Sequence, residues 1–221
     1  MKFKGIIFDF NGVLLWDTEW HEQAWREAAQ ELLGRSLTQE ELDYMPGRTN
    51  KDLLTHFFTR DLTEGEVEKY TEVKERIYRD ITLGKRGNFG LSPGAEKLLD
   101  LIVEREVSHT IATSSERNNL DFFISNLNLA RWFDVDTIIF DDGTLLGKPA
   151  PDLYVRAAEK LCLPPEECVV IEDAKSGIEA ARNAHVGKVI AVGLKNKHAQ
   201  LRAWGADQTT ENLGALSLDD F

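Results

Sequence analysis

Four short stretches hold residue types that could do chemistry together. In Gly5-Ile6-Ile7-Phe8-Asp9-Phe10-Asn11-Gly12-Val13 an acid and an amide follow an apolar run, and Gly12 lets the backbone turn tightly beside a ligand. Taken alone, Asp9 would serve equally well to close a turn or cap a helix. In Ile111-Ala112-Thr113-Ser114-Ser115, hydroxyls gather just ahead of a predicted helix, where free backbone N–H groups make a phosphate cradle. Capping by Ser114 or Ser115 is the simpler use of the same residues. Gly147-Lys148-Pro149-Ala150-Pro151-Asp152 sets a lysine beside prolines that fix the backbone, so its ammonium is either held at one place or lies on a rigid surface turn. Val169-Val170-Ile171-Glu172-Asp173-Ala174-Lys175-Ser176-Gly177 ends an apolar run in two adjacent acids. Such a pair suits a hard divalent cation such as Mg²⁺, unless Asp173 merely caps the next helix. Recurring at four successive strand ends, these signatures argue for one shared site.

The elements that must position them follow from periodicity. Ile6-Ile7-Phe8 has no polar alternation and reads as a strand buried on both faces, the kind found inside a parallel sheet. Further strands are predicted over Ser108–Thr113, Thr137–Phe140, Cys168–Glu172 and Lys188–Val192, with an edge strand over Asp207–Thr209. Helices alternate with them over Pro93–Arg105 (opened by Ser92), Glu116–Leu127, Pro151–Leu161, Lys175–Ala184 and His198–Trp204. That alternation predicts an α/β fold, a doubly wound Rossmann-like parallel sheet. Between the first strand and the rest the pattern is helical only: Asp17–Leu33, Thr38–Tyr44, Asn50–Phe58 and Thr63–Ile81. Thr38 with Glu41 and Thr63 with Glu66 fit capping boxes. The glycine-rich stretch Leu83–Gly90 reads as a hinge. The expected domains are therefore a core of 1–15 and 88–221 and an inserted all-helical cap of 16–87. Trp20 and Trp25 recur at helical spacing as core residues do, whereas Trp16 falls in the linker. The acidic runs Gln39-Glu40-Glu41 and Pro165-Glu166-Glu167 read as solvated helix starts.

The totals exclude some partners. A net charge of -12 over 221 residues argues against nucleic acid or an anionic membrane, both of which need a basic face. An anionic substrate must then be drawn in by a local cluster of cations. Cys162 and Cys168 are the only cysteines, close in sequence, and the chain opens without a signal-peptide pattern. Reduced thiols in the cytoplasm are expected, with no membrane span and a monomer rather than an oligomer.

With these four motifs in this order, the whole chain resembles the haloacid dehalogenase superfamily of phosphohydrolases, in the branch with a helical cap inserted after the first strand. Its layout is similar to that of β-phosphoglucomutase-like proteins and small sugar-phosphate phosphatases. The resemblance implies that Asp9 is a nucleophile forming an aspartyl-phosphate, and that Thr113 with Ser114 holds the transferring phosphoryl group. It implies that Lys148 neutralises charge between them. It further implies that Asp173, Asp9 and the backbone carbonyl of Asn11 bind Mg²⁺, with Glu172 in direct or water-mediated support. The implied partner is a small phosphorylated substrate, enclosed when the cap closes.

One departure bears on the chemistry. Position 11, an aspartate in the family, is asparagine here, and an amide can neither protonate a leaving oxygen nor take a proton from water. Three explanations stand: substrates with good leaving groups that need little acid, a stand-in such as His21, or a replacement made to trap an intermediate. In the cap loop Pro46-Gly47-Arg48-Thr49-Asn50 the family's glycine is kept as Gly47, and its mutase-type arginine is replaced, with Asn50 nearest and Arg48 at a shifted place. Glu116 stands where the mutases carry a lysine, leaving Asn118 and Asn119 as candidate donors. The expected activity is a phosphatase rather than a hexose-phosphate mutase. A catalytically weak protein that binds a phosphorylated metabolite is the alternative outside the enzymes.

Overall fold

The computed structural model describes residues 2–85 and 89–221. Gly5–Phe8 form β1, every residue buried as the unbroken apolar run requires. An all-helical insertion follows: α1 (Thr18–Leu33), α2 (Gln39–Tyr44), α3 (Asn50–Phe58) and α4 (Glu64–Gly84). After α5 (Ala95–Glu104) strands and helices alternate. They are β2 (Ser108–Glu116), α6 (Arg117–Leu127), β3 (Ile139–Asp141), α7 (Asp152–Lys160), β4 (Cys168–Glu172), α8 (Lys175–Asn183), β5 (Lys188–Val192), α9 (His198–Trp204) and β6 (Gln208–Thr210).

The six strands make one parallel sheet in the order β3-β2-β1-β4-β5-β6, so the strand order reverses between β1 and β4. In such sheets ligands bind outside the carboxyl ends of the strands at that reversal. Register decides which residues meet there. Phe8 pairs with Ile111 on one side and Ile171 on the other, so Asp9, Ala112 and Glu172 stand at one level across the three strands. Alternation along the strands sends Ile7, Ala112 and Val170 to the face covered by Tyr154 and Ala157 of α7 and Ile178 of α8. Phe8 points the other way and meets Phe133 edge-on at 6.1 Å. Each fully buried large apolar side chain contributes about 1.5–3 kcal/mol.

The chain divides into two compact units, 1–16 with 91–221, and 17–90. In the helical unit α1 buries Ala24, Trp25, Ala28 and Ala29 at helical spacing, and Trp25 meets Phe57 of α3 edge-on at 5.3 Å. Both expected capping boxes are present, at Thr38 and Thr63. Of the stretch Leu83–Gly90 expected as a hinge, Leu83 and Gly84 instead end α4, while residues 86–88, with the domain boundary expected at 87/88, lie outside the described residues.

Several local expectations are corrected. Ser92 does not open α5: its Oγ donates to the Val13 carbonyl at 2.6 Å, and Gly94 is the N-cap. β2 runs to Glu116, its pairing with β3 interrupted by a bulge between Ala112 and Glu116. β3 starts at Ile139 because 135–137 close a single 3₁₀ turn. Trp16 is 46% exposed, and Glu41 is buried because Arg35 neutralises it. Cys162 and Cys168 are free thiols. Among the described residues no helix is long and apolar enough to cross a membrane.

Candidate active site

Asp9 follows β1 directly, its N–H donating to the Ile171 carbonyl at 2.9 Å, so the acid is pinned between β1 and β4. Gly12, at φ +86°, turns the backbone back, and a Cβ there would overlap the Asp173 carboxylate. The loop before α7 brings in Lys148, which is 1% exposed. Its Nζ donates to Asp9 Oδ1 at 2.8 Å and to Glu172 Oε1 at 2.6 Å. The surface-turn reading of Lys148 is thereby excluded.

Glu172 differs from its neighbour Asp173. Its Oε1 also accepts from the Tyr154 hydroxyl at 2.9 Å, and its Oε2 from the N–H groups of Asp173 and Ala174, both at 2.7 Å. Two donors per oxygen fill an ionised carboxylate. Glu172 therefore acts as the anchor for Lys148 and for the backbone that carries Asp173. The N-cap position of α8 is Ala174, one residue after Asp173.

Thr113 lies in β2, 1% exposed, and its Oγ1 donates to Asn11 Oδ1 at 3.4 Å. Ser115 Oγ donates to the same oxygen at 2.9 Å. Ser114, between them, is half-buried, and the N-cap position of α6 is Glu116, not either serine. Asn118 is exposed on the first turn of α6, and Asn119 is buried.

Burial, with Glu172 adding to it, outweighs Lys148 and lifts Asp9 to about 7. Burial works against the Lys148 ammonium as well, yet Asp9 and Glu172 together raise its pKa well above the usual lysine value. Asp9, Glu172 and Asp173 each offer an oxygen within 4.8 Å of the others. Three carboxylates around one ammonium leave an excess of negative charge on hard oxygen donors, and this fits Mg²⁺.

The remaining expected residues lie in the helical unit. His21, on the first turn of α1, stacks on Tyr78 at 4.0 Å. Its Nε2 is 3.2 Å from Asp17 Oδ2, and its Nδ1 is 2.9 Å from Lys74 Nζ. Lys74 also donates to Glu75 Oε1 at 2.8 Å, and Asn50 Nδ2 donates to that same oxygen at 2.8 Å. His21 and Asn50 are thus joined through a buried network in which each charge has a partner. Gly47 turns the α2–α3 loop at φ +77°, and Arg48 lies over the Tyr44 ring at 4.4 Å.

Sequence reasoning missed Tyr154, which sits in an apolar stripe of α7, where nothing in the pattern distinguishes a hydroxyl that is used from one that is not. It also missed that Ser115 turns to Asn11.

Fold and site together define an α/β protein that gathers an ammonium and three carboxylates at the carboxyl edge of its parallel sheet. Residues 3–185 match the haloacid dehalogenase-like hydrolase family, and the chain belongs to it. It is 29% identical over 194 residues to the phosphorylated carbohydrates phosphatase of Thermotoga maritima, covering 86% of this chain and 85% of that one. It is 29% identical over 227 residues to the β-phosphoglucomutase of Bacillus subtilis, covering 98% and 92%. The crystal structure of a family IA, variant 3 HAD hydrolase from Entamoeba histolytica superposes with a TM-score of 0.86 at 34% identity, covering 98% of this chain and 96% of that one.

Proposed function

We propose that this phosphohydrolase of the haloacid dehalogenase-like type removes the phosphoryl group from a small phosphorylated carbohydrate, through an aspartyl-phosphate on Asp9. The observation that carries the reading is the buried Lys148 ammonium, 2.8 Å from Asp9 Oδ1 and 2.6 Å from Glu172 Oε1, with Asp173 alongside. A carboxylate oxygen of Asp9 attacks phosphorus, while Thr113 and Ser114 orient the transferring group. Lys148 offsets the repulsion between that carboxylate and the incoming dianion, and Glu172 keeps the ammonium in place. Asp9, Asp173 and the Asn11 carbonyl are the groups that would hold Mg²⁺, whose charge would stabilise the phosphoryl oxygens. In this reading 1–15 with 88–221 carry the chemistry, and 16–87 set the specificity.

The Thermotoga maritima relative supports a carbohydrate substrate. Asn11 favours hydrolysis over the mutase reading, because returning a phosphoryl group to a sugar leans on a placed acid–base twice. Phosphate release from a panel of phosphorylated sugars is expected to need Mg²⁺ and to fall at least about 10³-fold in Asp9→Ala. Undiminished release by Asp9→Ala would dismiss the covalent route. Isomerisation without net release would replace phosphatase by mutase.

A further inference from the structure

An aspartyl-phosphate forms on Asp9 only if the leaving oxygen finds a proton or departs without one. Asn11 Oδ1 accepts from Ser115 Oγ at 2.9 Å and Thr113 Oγ1 at 3.4 Å, so two hydroxyls orient the amide, and its nitrogen is no acid. Beside Asp9, the Lys148 ammonium is held between Asp9 Oδ1 at 2.8 Å and Glu172 Oε1 at 2.6 Å, on the side of the attacking carboxylate, and Asp173 belongs to the carboxylate cluster that fits Mg²⁺. The Tyr154 hydroxyl donates to Glu172, and Glu172 itself takes four donors, two on each oxygen. The stand-in suggested by the sequence fares no better. His21 has one ring nitrogen 3.2 Å from Asp17 Oδ2 and the other 2.9 Å from Lys74 Nζ, both engaged within the helical unit.

Building on the phosphatase reading, we infer that the substrates are activated phosphates, in which the phosphoryl group sits on an oxygen that departs as a stable anion. An acyl phosphate and a phosphoanhydride share that chemistry. For a carbohydrate this means a sugar acid phosphorylated on its carboxyl group, or a sugar-linked anhydride. A lone pair of the Asp9 carboxylate forms the new O–P bond. The bond from phosphorus to the leaving oxygen breaks, and its electron pair departs as carboxylate or phosphate with no proton needed. Water then attacks phosphorus and the bond from Asp9 to phosphorus breaks, restoring the carboxylate; the protons of water pass to inorganic phosphate and solvent. A plain sugar alcohol would have to leave as an alkoxide, the step a positioned acid speeds by about 10²–10⁴-fold.

The test is the dependence of kcat/KM on leaving group. It uses aryl phosphates graded from dinitrophenyl to phenyl, with acetyl phosphate, pyrophosphate and a hexose 6-phosphate alongside, for the full chain with Mg²⁺. A steep fall toward phenyl and the hexose phosphate is expected, with acetyl phosphate and pyrophosphate separating the acyl from the anhydride source. In Asn11→Asp the slope should flatten, with a gain of about 10²–10⁴-fold at the poor end that shrinks toward dinitrophenyl. A flat dependence in the unaltered protein, or an unchanged slope in Asn11→Asp, overturns the inference. Asp9→Ala separates the two levels. If it abolishes turnover while the slope is flat, only this inference fails; if it leaves turnover intact, the covalent reading fails first.

Discussion

Glu172 need not touch substrate to matter, because four hydrogen bonds end on it and one of them holds the Lys148 ammonium. Gly177, near the start of α8, leaves room for that arrangement: a Cβ there would overlap the Glu172 carboxylate. Gly177→Ala is therefore expected to push Glu172 off its donors, costing about 1–3 kcal/mol of stability and lowering turnover by an order of magnitude or more. A denaturation midpoint and kcat equal to those of the unaltered chain would show that Glu172 does not need this space. In the sequence Glu172 and Asp173 read as an equivalent pair of acids. They differ because the strand direction sends one carboxylate inward to Lys148 and Tyr154, and only coordinates reveal that. Asn11 was the opposite case. Its identity alone announced a missing acid, while its orientation by Ser115 came from the bulged end of β2.

At the scale of elements, α2 shows how a charge can be drawn into a helix start. Thr38 and Glu41 close the capping box, and Arg35 grips the Glu41 carboxylate at 2.6 and 2.9 Å. The Arg35 hydrogen bonds, with help from Thr38, outweigh burial and hold Glu41 at about 2 instead of 4.5. A carboxyl depressed on folding stabilises the protein fully above its unfolded value, and that share is lost as pH falls from about 4.5 toward 2. Glu41→Gln keeps a capping acceptor and removes the charge. It should cost roughly 1–2 kcal/mol at neutral pH, allowing for solvent screening at the half-exposed Arg35, and the gap should close near the acid end. Urea midpoints measured against pH check this, and a gap constant with pH would refute it. Both capping boxes were legible beforehand because their four-residue spacing is local. The polar stripe of α4, Lys74, Glu75 and Tyr78, was not, since its partners come from α1, its N-cap Asp17 and α3.

At the scale of the molecule, the sheet unit is assembled from two separate pieces of chain, 1–16 and 91–221. Ser92 ties them where the chain returns: its N–H donates to Leu14 O at 2.8 Å and its Oγ to Val13 O at 2.6 Å. Ser92→Ala is expected to lower stability by about 1–2 kcal/mol, read as a shift in denaturant midpoint. An unchanged midpoint would mean the hydroxyl is dispensable. The amino-acid sequence by itself determined the α/β class, the helical insertion and the four strand ends that carry polar groups, because periodicity, capping and glycine placement act over a few residues. Only the tertiary structure decided strand order and register, the anchoring role of Glu172, the entry of Tyr154 and the orientation of Asn11. The orientation of Asn11 depends on pairings across 102 and 104 positions of chain, with Thr113 and Ser115, and the Lys148–Asp9 pair spans 139; no local pattern encodes so distant a contact.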